Sequence, residues 1–494
     1  MNCIQLEPCL AFPRTQAARE APVDRLTVFL AVQPVMLALL GAAGLVFPAI
    51  SAPAETLIYP MCCVFVLMFA WILGTSYAVR GTLFEPYGLF MLAAGIFNGG
   101  QQLLEVFGQN ANGILGGRVA PETVLEAVYL VTVSFGFMHW GALIAFRRRP
   151  AAEDRLRAGA SGRSRAVRLV GWTLLAVAIV PTLMFFKLSV TVVMDYGYMG
   201  LYRNGGQNAI VQVLSSFLIP STVFLLTGSG AHKGARWVAL GVVGAHAALC
   251  LFLGSRGAAA MGCVAMAWAY DRSVHRIPRK QIAVGVIVAL IVFALVRETR
   301  TTGGQWRLSL AEQYATLTTL EDPLTSSIAE MGHSLVTVTH TLSLVPSSRD
   351  YDWSASYLYA LSTILPNLGW EVHPSVTHGL LADWLVRTVD PTIAATGGGL
   401  GFSFIAEAYL NFGWFGGPLW LGILGYLLCR LFLLADSVDP AKHALIASFL
   451  SFFLYFARGE SATVVRGLVW YALIPYLLAG LLAKHVHRSA AYEE

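Results

Sequence analysis

The sequence predicts an all-α polytopic membrane protein, and three observations carry that expectation. Of its 494 residues, 56% are hydrophobic and only 12% charged, with a mean hydropathy of +0.64. Ordinary soluble domains carry roughly 25% charged residues. About twelve stretches are long and apolar enough to cross a bilayer as helices. Lysine and arginine, finally, collect in alternate connections between those stretches.

The stretches fall near 26–48, 57–79, 87–107, 124–146, 168–188, 209–228, 236–253, 257–271, 281–297, 401–435, 443–457 and 465–484. The shorter ones read as tilted, buried or half-inserted helices. The 401–435 stretch is long for one crossing, and its first part reads as a separate helix. The segment MNCIQLEPCLAFPRTQAARE lacks a short apolar core with a small-residue cleavage site, so the first span is expected to direct insertion. No internal repeat or inverted symmetry stands out, so one integral membrane domain over 1–494 is expected.

Orientation follows from the cations. The run RRRPAAEDRLRAGASGRSRAVR (147–168) lies between the fourth and fifth spans and is the strongest cytoplasmic signal. Placing it inside brings Arg80, Lys233, Arg236, Arg272, Arg276, Arg279, Lys280, Arg430, Lys442 and both termini inside with it. The net charge of +5 therefore speaks for membrane topology, and no nucleic-acid partner is expected. Cys3, Cys9 and Cys429 fall inside while Cys62, Cys63, Cys250 and Cys263 fall within spans, so no disulfide framework is expected.

The cations left outside are nearly all arginine: Arg118, Arg203, Arg256, Arg297, Arg300, Arg307, Arg349, Arg387, Arg458 and Arg466, with Lys187 the single lysine. A guanidinium grips phosphate oxygens bidentately, which an ammonium cannot do. The bland alternative is that these residues anchor helix ends. The connection from about 298 to 400 holds most of the mass outside the spans and is far longer than ordinary connections, which points to function. Within it SSIAEMGHSLVTVTHTL (326–342) has an amphipathic helical pattern. The aromatic-rich stretch between Pro346 and Pro366 is expected along the membrane surface or over a cavity.

Five short segments carry the chemistry. In GFSFIAEAYLNFGWFGG (401–417), Ser403, Glu407 and Asn411 are spaced i, i+4, i+8 and form one polar stripe on a helix. A carboxylate in such a helix costs about 2.5–3.5 kcal/mol on insertion scales if it faces lipid, so the stripe is expected to face the bundle interior or water. Glu407 either pairs with an outer arginine or serves a substrate. In FARGESATVVRGLVW (456–470), Arg458 ends one span and Arg466 is already inside the next, where it needs a partner such as Glu460 or Glu407, or an anionic ligand. FLGSRGAAAMG (252–262) places Arg256 in a tight turn, and VRETRTTGGQW (296–306) places Arg297 and Arg300 beyond the ninth span. Together these ends suit an external, phosphate-bearing substrate. His373 and His378, in GWEVHPSVTHG near Glu371 and Asp383, read better as candidate general bases than as metal ligands; Glu407 is the third candidate base. His333 and His340 are seven apart, which is not the spacing of a zinc helix. Neither a metal nor a cofactor is expected.

GSRG (254–257), the VP…Y…SY…L…ILP run across 345–366, G-x-S-x-x-A-E-x-Y-x-N-F-G-x-x-G (401–416) and ARGES…VVRG (457–467) together resemble the O-antigen polymerases of the Wzy type. The resemblance covers roughly the C-terminal half, and the AEAYLNFG element is its most specific part. It implies metal-independent glycosyl transfer at the periplasmic face of the bacterial inner membrane. The implied donor is a polyprenyl-diphosphate-linked oligosaccharide, and the acceptor is a hydroxyl of a lipid-linked repeat unit. On that reading Glu407, His373 and Arg466 are the catalytic candidates. Arg256, Arg297, Arg300, Arg458, Arg387, Tyr409 and Asn411 are the substrate-binding candidates. Membrane lipids, and a chain-length regulator and a flippase of the same pathway, are the other implied partners.

Three competing readings remain at this level. An O-antigen ligase-like enzyme would use the same external chemistry with a different acceptor. A transporter or flippase is disfavoured by the lack of repeats and by arginines clustered on one face. A scaffold would have no use for a carboxylate like Glu407.

Overall fold

The computed structural model describes residues 23–46, 52–110, 112–147, 160–197, 200–203, 208–301, 323–365 and 371–492. Among them there are helices and turns and no strand. The helices are α1 (Val23–Val46), α2 (Ala54–Arg80), α3 (Pro86–Val106), α4 (Pro121–Arg147), α5 (Ala160–Tyr196), α6 (Gly200–Arg203) and α7 (Ala209–Ser215). Then come α8 (Leu218–Thr227), α9 (Lys233–Phe252), α10 (Arg256–Ser273) and α11 (Arg279–Thr301). Six short helices occupy the long connection: α12 (Pro323–Gly332), α13 (Leu335–Leu344), α14 (Ala355–Ser362), α15 (Pro374–His378), α16 (Leu381–Val389) and α17 (Pro391–Ala395). The chain closes with α18 (Phe404–Phe432), α19 (Pro440–Phe453), α20 (Ala462–Arg466) and α21 (Ile474–Tyr492).

Nine candidate spans among the described residues are long and apolar enough to cross a membrane. They answer to nine of the twelve expected stretches. The other three are helical as well, as α3, α10 and α11. In α3 the apolar run is interrupted by Asn98, Gln101 and Gln102, all buried against protein neighbours. The helix is therefore lined with protein contacts on its polar side.

Small residues and polar side chains glue the bundle, as expected where lipid offers no hydrophobic drive. A Cβ on Gly141 of α4 would lie 1.9 Å from the Gly422 carbonyl oxygen of α18, and one on Gly425 would lie 2.2 Å from that of Met138. Gln33 of α1 donates to the Gly136 carbonyl of α4 at 2.8 Å and accepts from the Trp71 indole of α2 at 2.7 Å. His139 of α4 stands 2.8 Å from the Thr75 hydroxyl and 3.1 Å from the Tyr87 hydroxyl, so both ring nitrogens are engaged in packing.

One end of the bundle collects charge. Arg80 forks onto Asp436 at 2.9 and 2.6 Å, Glu85 lies between Arg80 and Arg272, and Arg163 reaches Asp439 at 2.9 Å. Arg279 donates to the Gly81 carbonyl and Arg276 to Asp271. All five arginines are ones the charge pattern expects inside. From Glu85 at this end, α3 rises about 20 Å to Asn98 near the other end, at 1.5 Å per residue.

The long connection departs from expectation in one respect. The amphipathic pattern at 326–342 folds as two helices, α12 and α13, separated by a turn at 333–334. Gly332 allows the break and a close approach to α3, since its Cβ would meet the Gln101 nitrogen at 2.7 Å. Beyond the turn, Leu335, Val336, Thr337, Val338, Thr339 and Thr341 are all buried. Their threonine hydroxyls donate back to helix carbonyls (Thr337 to Ser334, Thr339 to Val336, Thr341 to Thr337), which lets a polar-looking segment pack inside the bundle. Residues 302–322 and 366–370 lie outside the described ones, and with them Arg307 and Trp370.

Candidate active site

At the end away from the charge cluster, α18 is broken. Gly413 adopts φ 65°, ψ −161°, and the chain bends so sharply that a Cβ on Gly417 would touch Ala408 at 3.1 Å. In an uninterrupted helix those residues would be about 13 Å apart along the axis. Residues 404–412 are thus the separate first part expected from the length of the stretch. Ser403 caps this helix through the Ile405 N–H at 3.2 Å.

The stripe of Ser403, Glu407 and Asn411 points wholly into protein, at 0%, 1% and 0% exposure. Ser403 donates to Asn98 of α3 at 2.6 Å, and Asn98 donates to the Ala457 carbonyl at 2.7 Å. Glu407 Oε1 accepts from the Ser461 hydroxyl at 2.6 Å and the Ser356 hydroxyl at 3.0 Å, while Oε2 accepts from the Ser461 backbone N–H at 2.8 Å. Asn411 donates to the Ser356 oxygen at 2.7 Å and to the Glu407 carbonyl at 2.8 Å. One carboxylate therefore ties together the lead-in helix, α14 of the long connection and the turn between α19 and α20.

That arrangement corrects the alternative in which Glu407 pairs with an outer arginine. Among the described residues it forms no ion pair; two hydroxyls and an amide satisfy it instead. Hydrogen bonds to the charged form can take the place of a counterion in a dry site. Glu460 does not pair with Arg466 either. Its oxygens accept from the Leu381 and Ala382 N–H groups at 2.9 and 3.1 Å, at the start of α16. Burial pushes the Glu460 carboxyl up to about 7, against the pull of those two amides, and Asp383 adds to the rise.

The arginines divide by what they hold. Arg349 grips Asp352 through both carboxylate oxygens and lies over the Trp384 ring at 4.3 Å, so it is a packing element. Arg256 is paired with Glu330 of α12. Arg466 donates through Nε to the Thr363 carbonyl at 3.1 Å, and Trp470 one turn on donates to the Ile364 carbonyl at 2.8 Å, so α20 and the π-helical turn after it seat the end of α14. Arg458 is exposed, with its guanidinium over the Phe97 ring at 5.5 Å and beside Gly401. Arg387 is exposed in the last turn of α16. Arg297 and Arg300 continue α11, and their side chains lie outside the described ones.

The remaining candidates are also placed. The Tyr409 hydroxyl donates to the Val345 carbonyl at 3.1 Å, and its ring meets Tyr351 and Trp414 edge-on, which makes it a brace between α18 and the connection. His373 Nε2 stands 3.0 Å from the Leu365 carbonyl, and His378 stacks on Tyr359 at 3.8 Å. Burial lowers the pKa of both His333 and His340, with Arg118 adding to the first and His333 to the second. Among the described residues no group of three or more His, Cys, Asp or Glu converges as a metal site would need. Sequence reasoning missed Ser356 and Ser461, although both lie inside the motifs it singled out.

The motif pieces are also brought together. A Cβ on Gly257 of the GSRG turn would lie 2.7 Å from the Tyr455 hydroxyl, one turn before Arg458. The 345–366 run meets the AEAYLNFG helix through Val345 and Ser356, and ARGES meets it through Ser461. No curated protein and no solved structure matches the chain. A family model, O-antigen polysaccharide polymerase Wzy, matches residues 31–487, nearly its whole length. The chain belongs to the O-antigen polysaccharide polymerase Wzy family.

Proposed function

We propose that this polymerase transfers a polyprenyl-diphosphate-linked glycan chain onto a lipid-linked repeat unit at the periplasmic face of the bacterial inner membrane, with both its termini cytoplasmic. Family membership supports the polymerase activity. The observation that carries the siting is the buried Glu407 carboxylate, which joins three separate stretches of chain at the end of the bundle remote from the arginine–carboxylate cluster.

In the transfer, an acceptor hydroxyl oxygen attacks C1 of the donor's reducing-end sugar. The C1–oxygen bond to diphosphate breaks, and its electron pair leaves with the diphosphate. The acceptor proton passes to a base. Diphosphate leaves more readily when cations meet its developing charge. We assign that task to Arg458, Arg387 and the terminal nitrogens of Arg466, together with Arg256, Arg297 and Arg300, and propose no metal for it. Glu407 accepts three hydrogen bonds and is 1% exposed, so its role is to hold Ser356 and Ser461, and with them the acceptor's surroundings, in place. His373, at the half-buried surface of the connection, is then the base. Tyr409 and Asn411 shape the wall rather than touch sugar. A flippase that delivers repeat units and a regulator of chain length are the pathway partners.

The test is the size distribution of surface polysaccharide from a strain lacking the protein. Glycan capped with single repeat units is the expected result, reproduced by Glu407→Gln and Arg466→Ala at normal expression. Unchanged ladders in those variants would remove both residues from the site. Loss of every glycan form, single units included, would transfer the chain to the flippase class.

A further inference from the structure

Helix α16 lacks a cap of its own. The residue before it is Leu380, whose side chain offers no acceptor. Its first two amides instead reach the two oxygens of one carboxylate, Glu460, which is 3% exposed and 79 positions further along the chain from Leu381. A carboxylate at a helix start is favoured by the exposed N–H groups there and by the helix dipole. A cap that served helix stability alone could sit at position 380 as serine or aspartate, without burying a charge at a distance.

The neighbour of Glu460 in the chain is Ser461, which holds Glu407 by hydroxyl and amide together. Two consecutive residues therefore grip α16 on one side and the lead-in helix on the other. Leu381, Leu385 and Val386 bury one face of α16, while Asp383, Arg387 and Thr388 stand on the exposed face. Trp384 is pinned under Arg349. Glu460 and Ser461 thus link α16, which carries Arg387, to the Glu407 helix.

We infer that Glu460 is a positioning residue for the transfer: by capping α16 it holds Arg387, which meets the diphosphate of the lipid-linked donor, in register with the Glu407 network. This rests on the proposed function, in which Arg387 meets diphosphate. Glu460 itself touches no reacting atom.

The test uses the full-length protein in proteoliposomes. Glu460→Ala removes both acceptors, and Glu460→Gln keeps the volume and one acceptor. Hydrogen–deuterium exchange at the amides of 381–389 is expected to accelerate in the Ala variant and to be intermediate in the Gln variant. Turnover of a lipid-linked repeat unit is expected to show KM raised roughly tenfold with kcat little changed, the scale of one charge-assisted hydrogen bond. The double variant Glu460→Ala, Arg387→Ala is expected to be no worse than Arg387→Ala alone, since both changes remove the same contact. Wild-type exchange in the Ala variant would overturn the inference. So would accelerated exchange with unchanged KM, or strictly additive losses in the double variant. If the Ala variant fails to fold, the Gln variant decides by the same readouts. Wild-type protein that makes no polymer from lipid-linked units would defeat the functional reading, whereas the exchange rates would still decide whether Glu460 holds α16.

Discussion

Ser461 meets Glu407 twice, with its backbone N–H on one carboxylate oxygen at 2.8 Å and its hydroxyl on the other at 2.6 Å. The carboxylate has no counterion among the described residues, so these contacts and that from Ser356 are what make its burial tolerable. Ser461→Ala removes one of the three donors and leaves the backbone one. It should lower stability by about 1–3 kcal/mol, the penalty for a buried polar group left short of a partner. The thermal unfolding midpoint in detergent reads this directly. A midpoint indistinguishable from wild type would mean that Glu407 is not held as described.

The second prediction concerns pH. Burial raises the Glu460 carboxyl from an ordinary 4.5 to about 7. A group whose pKa is higher folded than unfolded favours the fold at low pH and withdraws that support as pH rises through the folded value. Between about pH 4.5 and 7 the wild type should therefore lose about 3 kcal/mol relative to Glu460→Gln, which cannot titrate there. Unfolding midpoints of the two proteins, compared from pH 5 to pH 8, should converge or cross as pH rises. Parallel curves would contradict the burial assigned to Glu460.

Gly413 carries the third. Its φ of 65° with ψ of −161° lies where essentially only glycine is comfortable, and a Cβ there would come within 3.3 Å of the Tyr351 ring. Gly413→Ala should cost about 1–3 kcal/mol and swing the Glu407 helix away from Ser356 and Ser461. Shortened polysaccharide ladders at normal expression are the expected phenotype. Full ladders would show that the bend is not needed for polymerisation.

These three cases also show what the sequence could and could not convey. The stripe of Ser403, Glu407 and Asn411 was legible because helical spacing is local, and the length of 401–435 with its glycines announced a break. The partners of Glu407 were not legible. Ser356 and Ser461 lie 51 and 54 positions away, and nothing in their immediate surroundings marks a serine as a donor to a distant carboxylate. An arginine was the natural expectation, because charge complements charge on paper, whereas a dry site can be satisfied by neutral dipoles. The burial of Leu335 to Thr339 and of Thr341 was hidden for a related reason: threonines look polar in sequence, yet their hydroxyls are spent on their own helix.

The last prediction separates two kinds of arginine that the sequence presented alike. Arg349 is bidentate on Asp352 and stacked on Trp384, so planarity and fork geometry both matter. Arg349→Lys keeps the charge but loses the fork and the stacking, and should destabilise by about 1.5–3 kcal/mol, the range for hydrogen bonds to charged groups. Arg458 is exposed over Phe97 and takes no carboxylate among the described residues. Arg458→Lys should leave the unfolding midpoint within the small spread of surface substitutions. On the proposed function it should instead raise KM for the lipid-linked substrate, because an ammonium would offer the diphosphate a point charge in place of a bidentate fork. Midpoints and turnover measured on the two variants side by side give opposite patterns if the division is right. The same pattern in both would merge the two arginines into a single class and leave Arg458 without a claim on the diphosphate.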